Sequence, residues 1–152
     1  MTATIRPATP ADIPAMVELL RLLFAIEADF TFCGARQRRG LELLLAAPQA
    51  KVMVAEVDGQ TVAMATAQLT ISTAEGGPAL TIEDVVVDPP YRGRGLARRL
   101  LAELAAWGGS HGAHRLQLLA DHDNAPALAF YHRLGWKRTK LICLRQGSRL
   151  NS

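Results

Sequence analysis

Ile13, Met16, Val17, Leu20 and Phe24 recur at the three- and four-residue spacing of a single helical face, which predicts an amphipathic helix. Thr9-Pro10-Ala11-Asp12 precedes it as a start signal. The threonine can cap, the proline suits the first turn, and the aspartate complements the positive helix end. Residues 27–34 break the pattern, and a second helix is predicted from about 35 to 47, ending before Pro48. The period then changes. Lys51 to Val57 and Thr61 to Ser72, rich in β-branched residues, read as two strands joined by an Asp58-Gly59 hairpin turn. Leu80 to Val87 is a third strand, apolar on both parities at its end, so both of its faces should be covered there. Pro89-Pro90 stops it. A helix from Leu96 to Trp107 closed by Gly108-Gly109, a strand from 114 to 120, a helix from 125 to 134 and a last strand from 136 to 144 complete the expected order. Helices alternating with strands predict a mixed α/β sheet flanked by helices.

With 152 residues and no linker, repeat or low-complexity tract, the chain is expected to be one domain, 1–152. Hydrophobic residues make up 49% and charged residues 20%, which points to a filled core and excludes disorder. Cys33 and Cys143 follow no metal-ligand spacing, and the four histidines form no spaced ligand set, so no metal is expected. The N-terminus lacks the apolar core of a signal peptide, and no apolar run reaches membrane-spanning length, so a cytoplasmic protein without membrane contact is expected. A net charge of +3 is too mild to imply nucleic acid. Its distribution says more, because Arg92, Arg94, Arg98 and Arg99 crowd one stretch and create a local demand for anions.

That stretch, Val85-Val86-Val87-Asp88-Pro89-Pro90-Tyr91-Arg92-Gly93-Arg94-Gly95-Leu96-Ala97, joins a buried strand to a helix. Gly93 and Gly95 allow a tight turn and a close backbone approach. The helix start supplies unpaired N–H groups and partial positive charge, which suits a pyrophosphate. The dinucleotide fingerprint would require a third glycine where Arg98 stands, and a phosphate-binding Walker loop would require Gly-Lys-Ser/Thr; neither is present.

Arg92, Gly95 and Ala97 match the Arg/Gln-x-x-Gly-x-Gly/Ala signature, and the chain therefore resembles the GNAT superfamily of N-acyltransferases. Asp123-Asn124-Ala125-Pro126-Ala127-Leu128-Ala129-Phe130-Tyr131-His132-Arg133-Leu134-Gly135-Trp136 is similar to the family's later Asn-x-x-Ala-x-x-x-Tyr-x-x-x-Gly-Phe motif, with Trp in place of Phe. The resemblance implies a mostly antiparallel central sheet, splayed where acetyl-CoA binds. It implies that Arg92, Gly93, Arg94, Gly95, Leu96 and Ala97 hold the CoA pyrophosphate and that the co-substrate lies along Val85, Val86 and Val87. It further implies that Asn124 contacts the CoA arm, and that Tyr131 lies near the thioester sulfur, where it could protonate the departing thiolate. The acceptor so implied is a primary amine of a small molecule. Modification of protein N-termini or lysines and a non-catalytic CoA sensor are the alternatives, and the oligomeric state, a homodimer included, stays open.

Acetyl transfer to nitrogen needs a neutral amine, yet alkylamines have pKa values near about 10. A carboxylate that takes the proton would help. Glu83 and Asp84 precede the loop, and strand alternation should point them to opposite faces. In related small-amine acetyltransferases a glutamate at the spacing of Glu83 lines the substrate site, so Glu83 is the expected base. The oxyanion donor is expected to be a backbone N–H near Val85. Glu27 and Asp29 lie in the loop between the first two helices, which walls the acceptor site in this family, and they could attract a cationic amine.

Overall fold

The computed structural model describes residues 2–27 and 30–147. Five strands form one sheet in sequence order: β1 (Ala3–Pro7), β2 (Ala50–Val57), β3 (Gln60–Ser72), β4 (Gly77–Val87) and β5 (Leu116–Leu118). The first four are antiparallel, and β5 lies parallel to β4. The helices are α1 (Ile13–Ile26), α2 (Gly34–Ala46), α3 (Leu96–Ser110) and α4 (Ala125–Arg133). Residues 1–118 make one compact unit and 119–152 a second.

In the first unit the sheet is covered on both faces, although at the apolar end of β4 only Val86 is buried and Val85 and Val87 are half-buried. Val54 pairs with Met64, and this face carries Val52, Val54, Met64 and Val86 against Met16, Leu20 and Leu41 of α1 and α2. Leu80 pairs with Leu69 on the other face, where α3 lies. Gly108 shows how closely α3 approaches: a Cβ there would stand 3.0 Å from Leu80 Cδ2. The Gly108-Gly109 pair therefore does not end the helix, which runs on to Ser110; Gly108 is a packing residue. Asp58 and Gly59 take φ of 51° and 77°, the left-handed turn that the hairpin signal predicts.

One strand was not expected, and two further expectations are corrected. β1 carries no apolar pattern, and pairing with β2 from Ala3↔Val57 to Pro7↔Met53 makes it a strand. β5 is shorter than the run 114–120 and keeps only the residues paired with β4. The expected strand over 136–144 is absent, and Leu141, Ile142 and Leu144 are exposed at 87%, 79% and 85%. A strand is defined by its ladder, and β-rich composition without a partner does not produce one. Among the described residues, no helix is long and apolar enough to cross a membrane.

Candidate functional site

β4 pairs with β5 only from Leu80 to Ile82, so from Glu83 to Val87 its ladder runs to β3 alone. The sheet is open on that side, which leaves backbone groups of β4 available to an extended ligand. The opening coincides with an irregularity. Met64 pairs with Val86 and Thr66 with Glu83, so Asp84 and Val85 together face Ala65 as a β-bulge. Asp84 takes φ of 55°, a left-handed conformation uncommon for a residue with a side chain.

The bulge overturns the expected opposite orientation of the two acids. Thr66 lies on the Met64 side of β3, two residues on, and directly paired residues share a face, so Glu83 points to the α1–α2 side. Asp84 reaches the same side, because Thr66 Oγ1 lies 3.2 Å from Asp84 Oδ2. The extra residue shifts the alternation by one position. Glu83 is exposed and Asp84 partly buried beside it. Burial, then the neighbouring Glu83 charge, push the Asp84 carboxyl up to about 6, against the opposing Thr66 hydrogen bond.

After β4 the chain makes a short 3-10 turn, Pro89–Tyr91. Asp88 N–H donates to Val62 carbonyl at 2.8 Å, and Arg92 Nε donates to Val87 carbonyl at 2.9 Å. Arg92 thus ties the loop back to the strand it leaves. Arg94 lies over the Tyr91 ring, 5.7 Å from its centroid. Arg99, counted in the sequence among the anion-attracting arginines, donates to Ala3 carbonyl at 3.2 Å and tethers α3 to the sheet edge. Gly93 and Gly95 have φ of 75° and 77°, which explains glycine at both, and a Cβ at either would meet nothing within 4 Å. Gly95 is the N-cap of α3 and offers no side-chain cap. The first-turn N–H groups of α3, Leu96 and Ala97 among them, have no intrahelical acceptors and face a loop without side-chain carbons in the way. Such a loop can bind a phosphate through backbone donors.

The second unit carries the later motif. Asn124 caps α4 by accepting from Ala127 N–H at 3.2 Å through Oδ1. Tyr131, half-buried, meets Phe130 and Trp136 edge-on at centroid distances of 5.2 and 5.9 Å. Gly135 at φ 93° turns the chain back, and Trp136 N–H donates to Tyr131 carbonyl at 3.0 Å. Trp in place of Phe therefore braces the tyrosine ring. Elsewhere, Glu27 ends α1, its N–H donating to Leu23 carbonyl at 3.0 Å, while Asp29 lies outside the described residues.

Thr66 is the functional candidate that sequence reading missed. Its signal was available: one hydroxyl in the apolar run Val62-Ala63-Met64-Ala65-Thr66-Ala67, and it is 1% exposed.

A five-stranded, mostly antiparallel sheet that opens beside β4 and hands over to an uncapped glycine cradle is the arrangement that the GNAT resemblance implies. A profile described as the acetyltransferase (GNAT) family matches residues 16–136, and the chain belongs to that family. It is 30% identical over 142 residues to an aminoglycoside N(6')-acetyltransferase type 1 of Stenotrophomonas maltophilia, covering 91% of this chain and 89% of that one. A glucosamine 6-phosphate N-acetyltransferase of Trypanosoma brucei brucei is 35% identical over 88 residues; the match covers 57% of this chain and spans 58% of that relative's length. Among solved structures, an acetyltransferase from Agrobacterium tumefaciens described as putative superposes with a TM-score of 0.80 at 26% identity, covering 94% of this chain and 99% of the other.

Proposed function

We propose that this protein moves the acetyl group of acetyl-CoA onto a primary amine of a small cytoplasmic molecule by direct attack. The observation that carries the reading is the cradle: left-handed Gly93 and Gly95, open space above them, and an uncapped α3 start beside the unpaired flank of β4. The pyrophosphate binds the N–H groups of residues 92–97, and the thioester arm lies along Val85, Val86 and Val87, with a backbone N–H near Val85 polarising the carbonyl. Glu83, exposed at the open flank, meets the ammonium group, and its proton leaves through the carboxylates of the bulge. Asn124 steadies the CoA arm and Tyr131 protonates the thiolate. Glu27, with Asp29, biases the acceptor site towards cations. An amino-sugar amine is the leading acceptor class, because both named relatives are named for amino-sugar substrates.

Thiol release measured across amino sugars, polyamines, peptide N-termini and lysine peptides tests this. Turnover is expected with the small amines. Turnover only with peptides would overturn the substrate class, and acetyl-CoA binding without any turnover would make the protein a sensor. Tyr131→Phe should lose at least about tenfold in kcat at unchanged CoA affinity, as loss of a transition-state contact requires. Gly95→Glu should abolish CoA binding in calorimetry while the circular dichroism stays folded.

A further inference from the structure

We propose that Asp84, held in the β4 bulge by Thr66, is the group that accepts and stores the proton of the acceptor amine, while Glu83 docks the ammonium. This rests on the acetyltransferase reading and narrows it to the individual carboxylate.

The geometry distinguishes the two acids. Glu83 is exposed and open to an arriving cation, whereas Asp84 lies deeper on the same face. One hydroxyl serves this corner. Thr66 Oγ1 lies 3.2 Å from both Asp84 Oδ2 and Glu83 carbonyl, and it has a single proton to give. While Asp84 is ionised, the two acceptors compete for that proton. Once Asp84 is protonated the conflict ends: its O–H can donate to Thr66 Oγ1, and Thr66 donates to Glu83 carbonyl. The Thr66 hydrogen bond favours the ionised form and so limits the rise that burial and Glu83 impose, and the corner offers Asp84 a partner in either protonation state. A left-handed φ of 55° keeps Asp84 there, a conformation that persists only where the surroundings enforce it.

The electrostatic surroundings agree. From β4 the charge facing Asp84 is that of Glu83. β3 and β5 contribute no titratable side chain in Gln60–Ser72 or Leu116–Leu118. α1 brings Glu18 and Arg21, which are exposed and paired with each other at 2.9 Å. Arg98, Arg99 and Glu103 belong to α3, on the other face of the sheet. α2, on the same face, carries Arg36, Arg38, Arg39 and Glu42, yet the charge that acts on the Asp84 carboxyl is that of Glu83. The Asp84 carboxyl, moved from 3.8 to about 6, is on the order of a hundred times more basic than an ordinary aspartate, closer to the optimum for a base at neutral pH.

The protons balance as follows. The ammonium loses one proton to Asp84, which frees the nitrogen lone pair. Nitrogen attacks the thioester carbonyl, the C–N bond forms, and the C–S bond breaks as the tetrahedral intermediate collapses. The second amine proton ends on the thiol through Tyr131, and Asp84 returns its proton to solvent. The products are the acetamide, free CoA and one proton.

The test is the pH dependence of kcat/KM between pH 5 and 8 with the best amine of the panel. Wild type should rise with pH and break near 6. Asp84→Asn, an isosteric change that tolerates the left-handed backbone, should lose at least about tenfold at pH 7 and lose that break, with CoA affinity unchanged. Thr66→Val should move the break up, because a hydrogen bond to the ionised form is gone. Glu83→Gln should move it down, because the like charge is gone, and should raise KM for the amine. A carboxyl-carbon NMR titration should find Asp84 itself titrating near the same break. An Asp84→Asn enzyme within threefold of wild type, or one that keeps the break, overturns the proposal and leaves the acetyltransferase reading standing. Wild type without turnover on any amine overturns both.

Discussion

Asp12 and Asp84 are both carboxylates drawn in from solvent at the sheet, and the protein treats them in opposite ways. Asp12, 5% exposed, receives Arg6 Nη1 and Nη2 at 2.8 Å each, Thr9 N–H at 2.8 Å and the Thr61 hydroxyl at 2.7 Å. Arg6 first, with the Thr9 and Thr61 hydrogen bonds, holds its carboxyl well below the usual carboxylate range in spite of burial. Arg6 also reaches Glu56 at 2.9 Å, so one network ties β1, the turn before α1, β2 and β3. Asp84 has a shared threonine hydroxyl and a second carboxylate for company, and its affinity for protons rises. Burial alone therefore does not decide the protonation of an acid. The neighbours do, and the contrast separates an architectural carboxylate from a chemical one.

The largest expected effect is on the architectural side. Asp12→Ala removes one of the two carboxylates that pair with the partly buried Arg6 and leaves the Thr9 and Thr61 donors unmet, which should destabilise the fold by roughly 3 kcal/mol in denaturant melts. CoA affinity should not change. The pH signature follows from the lowered carboxyl: the stabilisation is present above about 4 and is lost as pH falls below it. Equal stability losses at pH 7 and pH 2 would break the comparison.

Asp84→Asn should act with the opposite sign. A raised carboxyl favours the folded state only while it is protonated, and that contribution is lost as pH rises from 3.8 through about 6. At pH 7 the asparagine variant should therefore be more stable than wild type by about 1–2 kcal/mol, a difference that vanishes below pH 4. Paired with the loss of turnover expected from the same variant, this would be a stability gained by disarming a site. A destabilised variant at pH 7 would place Asp84 with Asp12 among structural groups. The smallest effect belongs to Glu56→Gln, which weakens an ion pair whose acid is 36% exposed and should shift stability by only about 0.5 kcal/mol, less in high salt.

Much of the fold was legible because its signals are local. The Thr9-Pro10 signal, which opens a 3-10 turn over Pro10–Asp12 just ahead of α1, the Asp58-Gly59 turn and the Pro89-Pro90 stop act through backbone dihedrals within a few residues. The cradle was legible for the same reason, since left-handed glycines ahead of a helix are a local arrangement. Errors fell where a partner decides. Ala3–Pro7 is a strand because β2 lies beside it, whereas the apolar run 136–144 has no ladder and stays irregular. Gly108 reads as a helix stop in one dimension and is a packing contact with Leu80 in three.

The sequence by itself determined which residue types are candidates for the site: a Glu-Asp pair and an arginine-glycine loop, with an asparagine and a tyrosine later along the chain. Only the tertiary structure decided what the acids can do. Strand alternation separates Glu83 from Asp84, and it holds only while each residue of β4 faces one of β3. That register is set by the two strands together, and between Met64 and Thr66 it admits one residue too many. The surplus residue turns Asp84 onto the face of Glu83 and under the hydroxyl of Thr66, 18 residues away along the chain. A proton site made of a strand register and a cross-strand hydroxyl has no local code, because pairing between distant segments creates it.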